Sequence, residues 1–271
     1  MTLNETVANL LSDNALIEAL EAGRDAVRTN PTDRSARHLY IDLLVLAGDY
    51  EKADAQCGLA STFSPDDAIG FAMLRNQLRA MAARRAWFET GAVPAFPEGP
   101  SALDQAAIAL GIAHRAGDDA RAALHGLETL RGNRPMLWNG KPVDDLRDLD
   151  DRIPHALEVL MTGGSYLWID FAKIDAVTIE PIARPRDLAF RRAELALRDG
   201  STAPVLLPAI YYGTETDPKL LLGRETDWVT EPSGITAGRG QRCFLAGDDL
   251  VSFHDAESFG VVAAPELVTH G

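Results

Sequence analysis

The chain has 271 residues, 46% hydrophobic and 24% charged, which is ordinary globular composition and excludes a disordered or fibrous chain; that length suits one large domain or two of ordinary size. The formal net charge of −14 is shared between the halves, −6 over residues 1–131 and −8 over the rest, so neither half offers the clustered Lys and Arg whose counterion release drives nucleic-acid binding. No run approaches the roughly 18 apolar residues of a membrane span, and the opening Met1-Thr-Leu-Asn-Glu-Thr6 lacks a basic region followed by an apolar one, so a cytoplasmic protein without membrane insertion is expected.

From Leu10 to about Arg131 apolar residues recur three and four apart, as in Leu39, Leu43, Leu44 and Leu46, or Phe71, Leu74, Leu78 and Met81. That is the helical period. Asn30-Pro31-Thr32-Asp33, Gly48-Asp49, Ser64-Pro65-Asp66-Asp67 and Gly117-Asp118 interrupt it with turn-formers and caps, so the helices come short and in pairs. Pro31 and Pro65 lie 34 residues apart, and Asn14–Ala19 aligns at the same offset with Gly48–Ala53. A period of 34 is that of tetratricopeptide helix pairs. A third copy of the phrase, Gly117–Ala122, follows Gly48 by 69 residues, two periods plus one. Ala19, Ala53 and Ala122 are expected to let paired helices approach closely, with the prolines closing each unit.

The helix expected from about Asp66 to Thr90 carries Arg75, Arg79, Arg84 and Arg85, but at 100° per residue Arg84 points away from Arg75, so a solvated helix with mixed ion pairs is expected rather than a basic stripe. Pro94, Pro97 and Pro100 then make a connector. Beyond Pro135 short strands take over: Tyr166–Phe171, Ala176–Glu180, Pro204–Leu207, Asp227–Thr230 and Arg242–Leu245, with Ala193–Arg198 ambiguous but leaning to strand. Gly163-Gly164, Asp199-Gly200 and Gly247-Asp248 mark turns, and the residues from Val262 are expected to fray. The expected class is α+β, with a tetratricopeptide-like helical domain over residues 1–131 and a smaller, mostly antiparallel β-rich domain over residues 132–271. Gly140–Arg152 reads as the hinge between them.

That hinge holds Asp144, Asp145, Asp148, Asp150 and Asp151, and carboxylates so grouped suit a hard divalent cation. The spacing lacks the glycine and distal glutamate of an EF-hand loop, and Arg147 and Arg152 would neutralise the cluster without metal, so an ion-pair and capping network is preferred. Gly238-Arg-Gly-Gln-Arg242 could cradle phosphate, but it lacks the Lys-Ser/Thr of a P-loop and precedes a strand; a tight turn is preferred. Cys57 and Cys243 have no metal-ligand spacing and read as buried thiols. His38, His114, His125, His155 and His254 are scattered, and no Gly-x-Ser-x-Gly is present. No enzyme, catalytic residue or cofactor is called for. The competing reading is a metal-dependent hydrolase or phosphate-binding enzyme using Asp144–Asp151.

Arg84-Arg-Ala-Trp-Phe-Glu-Thr-Gly91, Asp144–Arg152, Gly164-Ser-Tyr-Leu-Trp168, Leu222-Gly-Arg-Glu-Thr-Asp-Trp228 and Gly240-Gln-Arg242, in this order, resemble the ImpE/TagJ accessory proteins of bacterial type VI secretion. The resemblance covers nearly the whole chain. It implies a non-enzymatic cytoplasmic component of a contractile machine that binds the N-terminal helix of the small sheath subunit, with a link to the ATPase that disassembles the sheath. An amphipathic helix laid in a groove is compatible with helix pairs, and the acidic surface would favour a basic partner helix. Whether that groove lies between helix pairs or against the sheet stays open. Arg147, Asp148, Asp150, Asp151 and Arg152, with Trp228, Gln241 and Arg242, match the family's signatures and are the candidate surface, serving either partner binding or domain docking. Trp168 and Trp228 are expected in the core.

Overall fold

The computed structural model describes residues 1–63, 68–214 and 217–261. Seven helices come first: α1 (Leu3–Ser12), α2 (Leu16–Thr29), α3 (Arg34–Leu46), α4 (Tyr50–Phe63), α5 (Ala68–Thr90), α6 (Ala102–Ala116) and α7 (Arg121–Arg131). Side-chain caps start several of them: Thr2 with Glu5 and Ser101 with Asp104 form capping boxes, and Asp33 accepts from the Ala36 amide. The 34-residue offset appears in the helix starts, Arg34, Ala68 and Ala102 on one series and Leu16 and Tyr50 on the other. Successive helices from α1 to α5 pack side by side, as do α6 and α7.

Ala19 and Ala53, each three residues after a helix start, are fully buried. Ala122 is exposed instead. α7 begins four residues after Gly117, whereas α4 begins two after Gly48, so the third phrase sits two residues early on its helix; Leu124, three residues after the start of α7, is half-buried, and Ala120, just ahead of that helix, is buried. Pro65 and the helix start expected at Asp66 lie outside the described residues, as do the terminal residues from Val262.

The change of architecture falls between Arg131 and Met136, ahead of Gly140–Arg152. Thirteen strands follow among the described residues: β1 (Met136–Trp138), β2 (Lys141–Val143), β3 (Leu146–Asp148), β4 (Ala156–Met161), β5 (Tyr166–Asp170), β6 (Ile174–Ile179), β7 (Phe190–Leu197), β8 (Thr202–Pro208), β9 (Thr226–Thr230), β10 (Thr236–Gly240), β11 (Cys243–Ala246), β12 (Asp249–Ser252) and β13 (Ser258–Val261), with a one-turn helix α8 (Pro218–Leu221) before β9. They form an antiparallel eight-stranded sheet in the order β2-β1-β13-β6-β7-β8-β4-β5, a ribbon β10-β9, and a three-stranded sheet β12-β11-β3. The chain is therefore α+β. The supposed hinge is built into the sheets as β2, β3 and the turn after them.

Both faces of the large sheet are covered, which is why β4 reads Ala-Leu-Glu-Val-Leu without polar alternation. Ala156 and Leu160 of β4 and Tyr166 and Trp168 of β5 share one core with the helices; Leu157, Val159 and Ile169 share another with Leu146 and Phe244 of the small sheet. α5 lies across β4 and β5, where the Trp87 and Trp168 rings meet edge to face at 4.8 Å.

Gly238 lies in β10 rather than in a turn. A side chain there would meet the Tyr211 ring at 2.4 Å, and one at Gly240, whose φ is +81°, would meet the Glu225 carbonyl at 2.2 Å. The glycines answer the close approach of the Tyr211 ring and the Glu225 backbone to β10.

Candidate functional site

Where the helical layer meets the two sheets, six side chains, Arg84, Asp148, Glu158, Tyr166, Tyr211 and Arg242, form a buried network. Arg84 of α5 donates from Nε and Nη2 to the Glu158 carboxylate of β4 at 2.8 and 3.0 Å. Arg242, just before β11, donates from Nη1 to the same carboxylate at 3.2 Å and from Nε to Asp148 Oδ2 at 2.5 Å. The Tyr211 hydroxyl, beyond β8, lies 2.8 Å from both Asp148 Oδ1 and the Cys243 carbonyl and accepts from the Cys243 amide. Tyr166 donates to Glu158 at 2.6 Å and accepts from the Trp168 indole at 2.7 Å.

Burial works against the Glu158 charge, but the Arg84 and Arg242 guanidiniums and the Tyr166 hydroxyl outweigh it and hold the carboxyl down at about 2. For Arg242 burial is likewise outweighed, by Asp148 and Glu158, and its pKa is raised. Burial, reinforced by Asp148, pushes the Tyr211 hydroxyl well above its ordinary range, so it stays a donor. Isolated charges could not be buried here; the set persists because it is mutually neutralising and hydrogen-bonded.

A second cluster adjoins the first. Arg152 grips Asp150 through Nε and Nη2, and the Asp150 carboxylate also accepts from the Gly238 amide at 3.0 Å. Arg152 stacks over Phe88, which lies parallel to Tyr212 at 4.4 Å. Asp151 accepts from the Thr236 amide at 2.7 Å, and Arg147 reaches Glu128 at 3.3 Å and Asp151 at 3.5 Å. Gln241, half-buried, ties the start of β9 through its backbone: its amide donates to Glu225 and its carbonyl accepts from Thr226. Trp228 lies apart at the surface, 37% exposed, with its ring 5.6 Å from Tyr211. Trp168, by contrast, is buried as expected.

Asp148, Asp150, Arg152 and Arg242 thus come together at the joint, Arg147 and Asp151 flank it, and Gln241 and Trp228 sit on the β9–β10 side. The carboxylates that suggested a cation face guanidiniums: Asp145 is held by Arg131, Asp148 by Arg242 and Asp150 by Arg152. No group of three or more His, Cys, Asp or Glu among the described residues is placed to hold a metal ion. Both cysteines are buried free thiols.

Arg84 overturns the reading of α5 as a wholly solvated helix. Arg75, Arg79 and Arg85 do make the expected mixed contacts, with Asp54, Asn76 and Glu51, but Arg84 is buried against the sheet. Glu158, Tyr166 and Tyr211 were missed as network members. A glutamate inside an otherwise apolar strand, Ala-Leu-Glu-Val-Leu, was the available signal, since so buried an acid requires a partner. The quoted motifs meet here: Arg84, Trp87 and Phe88 from the first, Tyr166 and Trp168 from the third, Arg242 from the last.

Residues 140–259 match the family model described as ImpE protein. The chain is also 29% identical over 250 residues to the type VI secretion system accessory component TagJ of Pseudomonas aeruginosa, covering 87% of this chain and 84% of that protein. The resemblance to the ImpE/TagJ family therefore holds. The crystal structure of protein VPA1032 from Vibrio parahaemolyticus superposes with a TM-score of 0.87 at 27% identity, covering 96% of this chain and 98% of that one. The match to the ImpE model takes in Asp148, Glu158 and Arg242 but stops short of Arg84, whereas the TagJ and VPA1032 likenesses extend over most of the chain.

Proposed function

We propose that this protein is a non-enzymatic, cytoplasmic accessory component of a type VI secretion machine, an adaptor that binds the N-terminal helix of the small contractile-sheath subunit and links it to the ATPase that disassembles the sheath. The observation that carries the reading is the similarity to TagJ over 87% of the chain. Among the described residues no helix is long and apolar enough to cross a membrane, in keeping with a component that works beside the sheath. The ionic joint serves to hold residues 1–131 and 132–271 as one rigid adaptor, and Arg147, Asp148, Asp150, Asp151, Arg152, Gln241 and Arg242 act through it, Trp228 facing solvent beside it. Calorimetric titration of the full chain with a synthetic peptide of the cognate sheath subunit's N-terminal helix tests this. Saturable binding to that peptide and none to its scrambled version is expected; equal behaviour of the two overturns the contact.

A further inference from the structure

A cavity of about 750 Å³ lies away from the joint, between α1, α3 and the segment 182–188. One wall is the α1 series Asn4, Ala8 and Leu11, the other the α3 series Ser35, Leu39 and Asp42, each at helical spacing, and Ile182, Pro185 and Leu188 close the third side. α1 and α3 are alternate members of the helical stack, so they share the face that α2 leaves uncovered, as the inner helices of a solenoid do. Two ridges with residues three and four apart form a trough whose complement is a third helix, because ridges of that spacing seat into grooves of the same spacing. Val7, Leu11, Leu39 and Leu188 give it an apolar floor.

The charges select the occupant. Asp42 is the acid in the lining, and the Arg186 guanidinium already lies 3.5 Å from its carboxylate. Arg184 and Arg224 line the same cavity, so a locally positive trough opens on a chain of net charge −14. A general preference of the acidic surface for basic partners is reversed at this place, since local charge governs a close contact and the distant charges are screened within about 8 to 10 Å.

We infer that the trough between α1, α3 and residues 182–188 is the docking site for an amphipathic partner helix that lays its apolar face on Leu11, Leu39 and Leu188 and presents carboxylates to Arg184 and Arg224. The inference rests on the adaptor reading above for the owner of the helix, the small sheath subunit. Its geometry and its charge preference are properties of the trough alone.

The test uses the full chain and its Ala8→Trp, Arg224→Glu and Ile112→Trp variants, titrated with the fluorescently labelled N-terminal helix peptide of the sheath subunit. Ala8 and Arg224 are exposed lining residues, and Ile112 is exposed on α6, outside the lining. Ala8→Trp fills the trough and is expected to weaken binding at least tenfold. Arg224→Glu is expected to weaken it several-fold, less so at high salt, and Ile112→Trp to leave it unchanged. A peptide that binds the wild type and both trough variants equally overturns the trough while leaving the adaptor reading intact. If the wild type does not bind the sheath helix at all, that reading fails, and the trough is decided by a designed leucine-faced helix flanked by either glutamates or lysines. Tighter binding of the glutamate version, lost in Ala8→Trp, sustains the trough; binding of neither, or preference for lysine, overturns it.

Discussion

The ionic joint and the trough are opposite kinds of place. The joint gathers several of the residues that look like chemistry in the sequence, Asp148, Asp150, Arg242 and Trp168, and buries them, while Trp228 stays at the surface. The trough is made mainly of Asn, Ala, Ser, Leu and Ile on α1, α3 and residues 182–188, with Asp42, Arg184 and Arg224, and of these only Arg224 falls within a quoted motif, Leu222–Trp228. Charged residues in the Asp144–Arg152 and Gly238–Arg242 runs here report how two layers are locked together, and the walls of the open surface are residues any helix carries, with Arg184 and Arg224 at its edge. The comparison breaks if the joint turns out to be dispensable for folding, or if the trough turns out to be needed for it.

Glu158 offers the strongest way to break it. Glu158→Gln leaves Arg84 and Arg242 buried around a neutral amide, and removing one partner of a buried ion pair costs about 3–5 kcal/mol. Urea unfolding should show a loss of that size with an unchanged slope. A loss under about 1 kcal/mol would mean that water reaches the joint and that the layers are held by their apolar cores alone.

Acid probes the same residue without mutation. The Glu158 carboxyl falls from an ordinary 4.5 to about 2 on folding, so its contribution, about 3 kcal/mol, is complete above pH 4.5 and disappears as the pH falls toward 2. Asp42, in the trough wall, has the opposite sign. Burial raises its carboxyl from 3.8 to about 6, opposed by Arg186, Arg184 and Arg192 and reinforced by Asp187. A raised acid is a cost of up to about 3 kcal/mol above pH 6 that is relieved as the pH drops toward 4. Unfolding measured at pH 7, 5 and 3 should therefore show the wild type gaining on Asp42→Asn between pH 6 and 4, then losing stability below 4.5. Parallel curves for the two proteins would remove Asp42 from the account.

Much of this architecture was legible and some was not, for definite reasons. The helical half could be read because its signal is periodic: the 34-residue offset and the buried Ala19 and Ala53 follow from the spacing of small and apolar residues. The third phrase misled because the loop after Gly117 is longer, which sequence identity of the phrase conceals. Strands β5, β6, β8, β9 and β11 were legible from β-branched and aromatic residues, β7 was ambiguous, and β4 was missed although it is six residues long and mostly apolar, while β1, β2, β3, β12 and β13 are three or four residues long and are defined by their partners rather than by propensity. Arg84 was misjudged because helix periodicity tells which residues share a face and not what that face meets. Its partner lies 74 residues away. The trough as a concavity left no mark, although Leu39 and Arg224 in its lining were each read for other reasons, since a concavity arises from the arrangement of elements.

Gly240 sharpens the comparison at a smaller scale. Gly240→Ala must hold a left-handed φ of +81° and push the Glu225 carbonyl away from 2.2 Å, so a loss of about 2 kcal/mol is expected. That loss should appear as lowered melting temperature with binding of the sheath peptide unchanged once the protein is folded. Loss of binding in a folded Gly240→Ala protein would instead bring the β9–β10 ribbon, and Trp228 with it, into the contact surface.

The smallest expected effect on stability belongs to the trough. Ala8 and Arg224 are exposed and have no part in the joint, and substitutions at such positions stay within about 0.5 kcal/mol. Ala8→Trp and Arg224→Glu should accordingly melt with the wild type, and this is what gives their binding measurements meaning: a change in affinity then comes from the trough and not from a weakened fold. A large fall in melting temperature for Ala8→Trp would show that the trough closes in solution on itself, α1 against residues 182–188, and that the space between them is part of the helical stack's own packing.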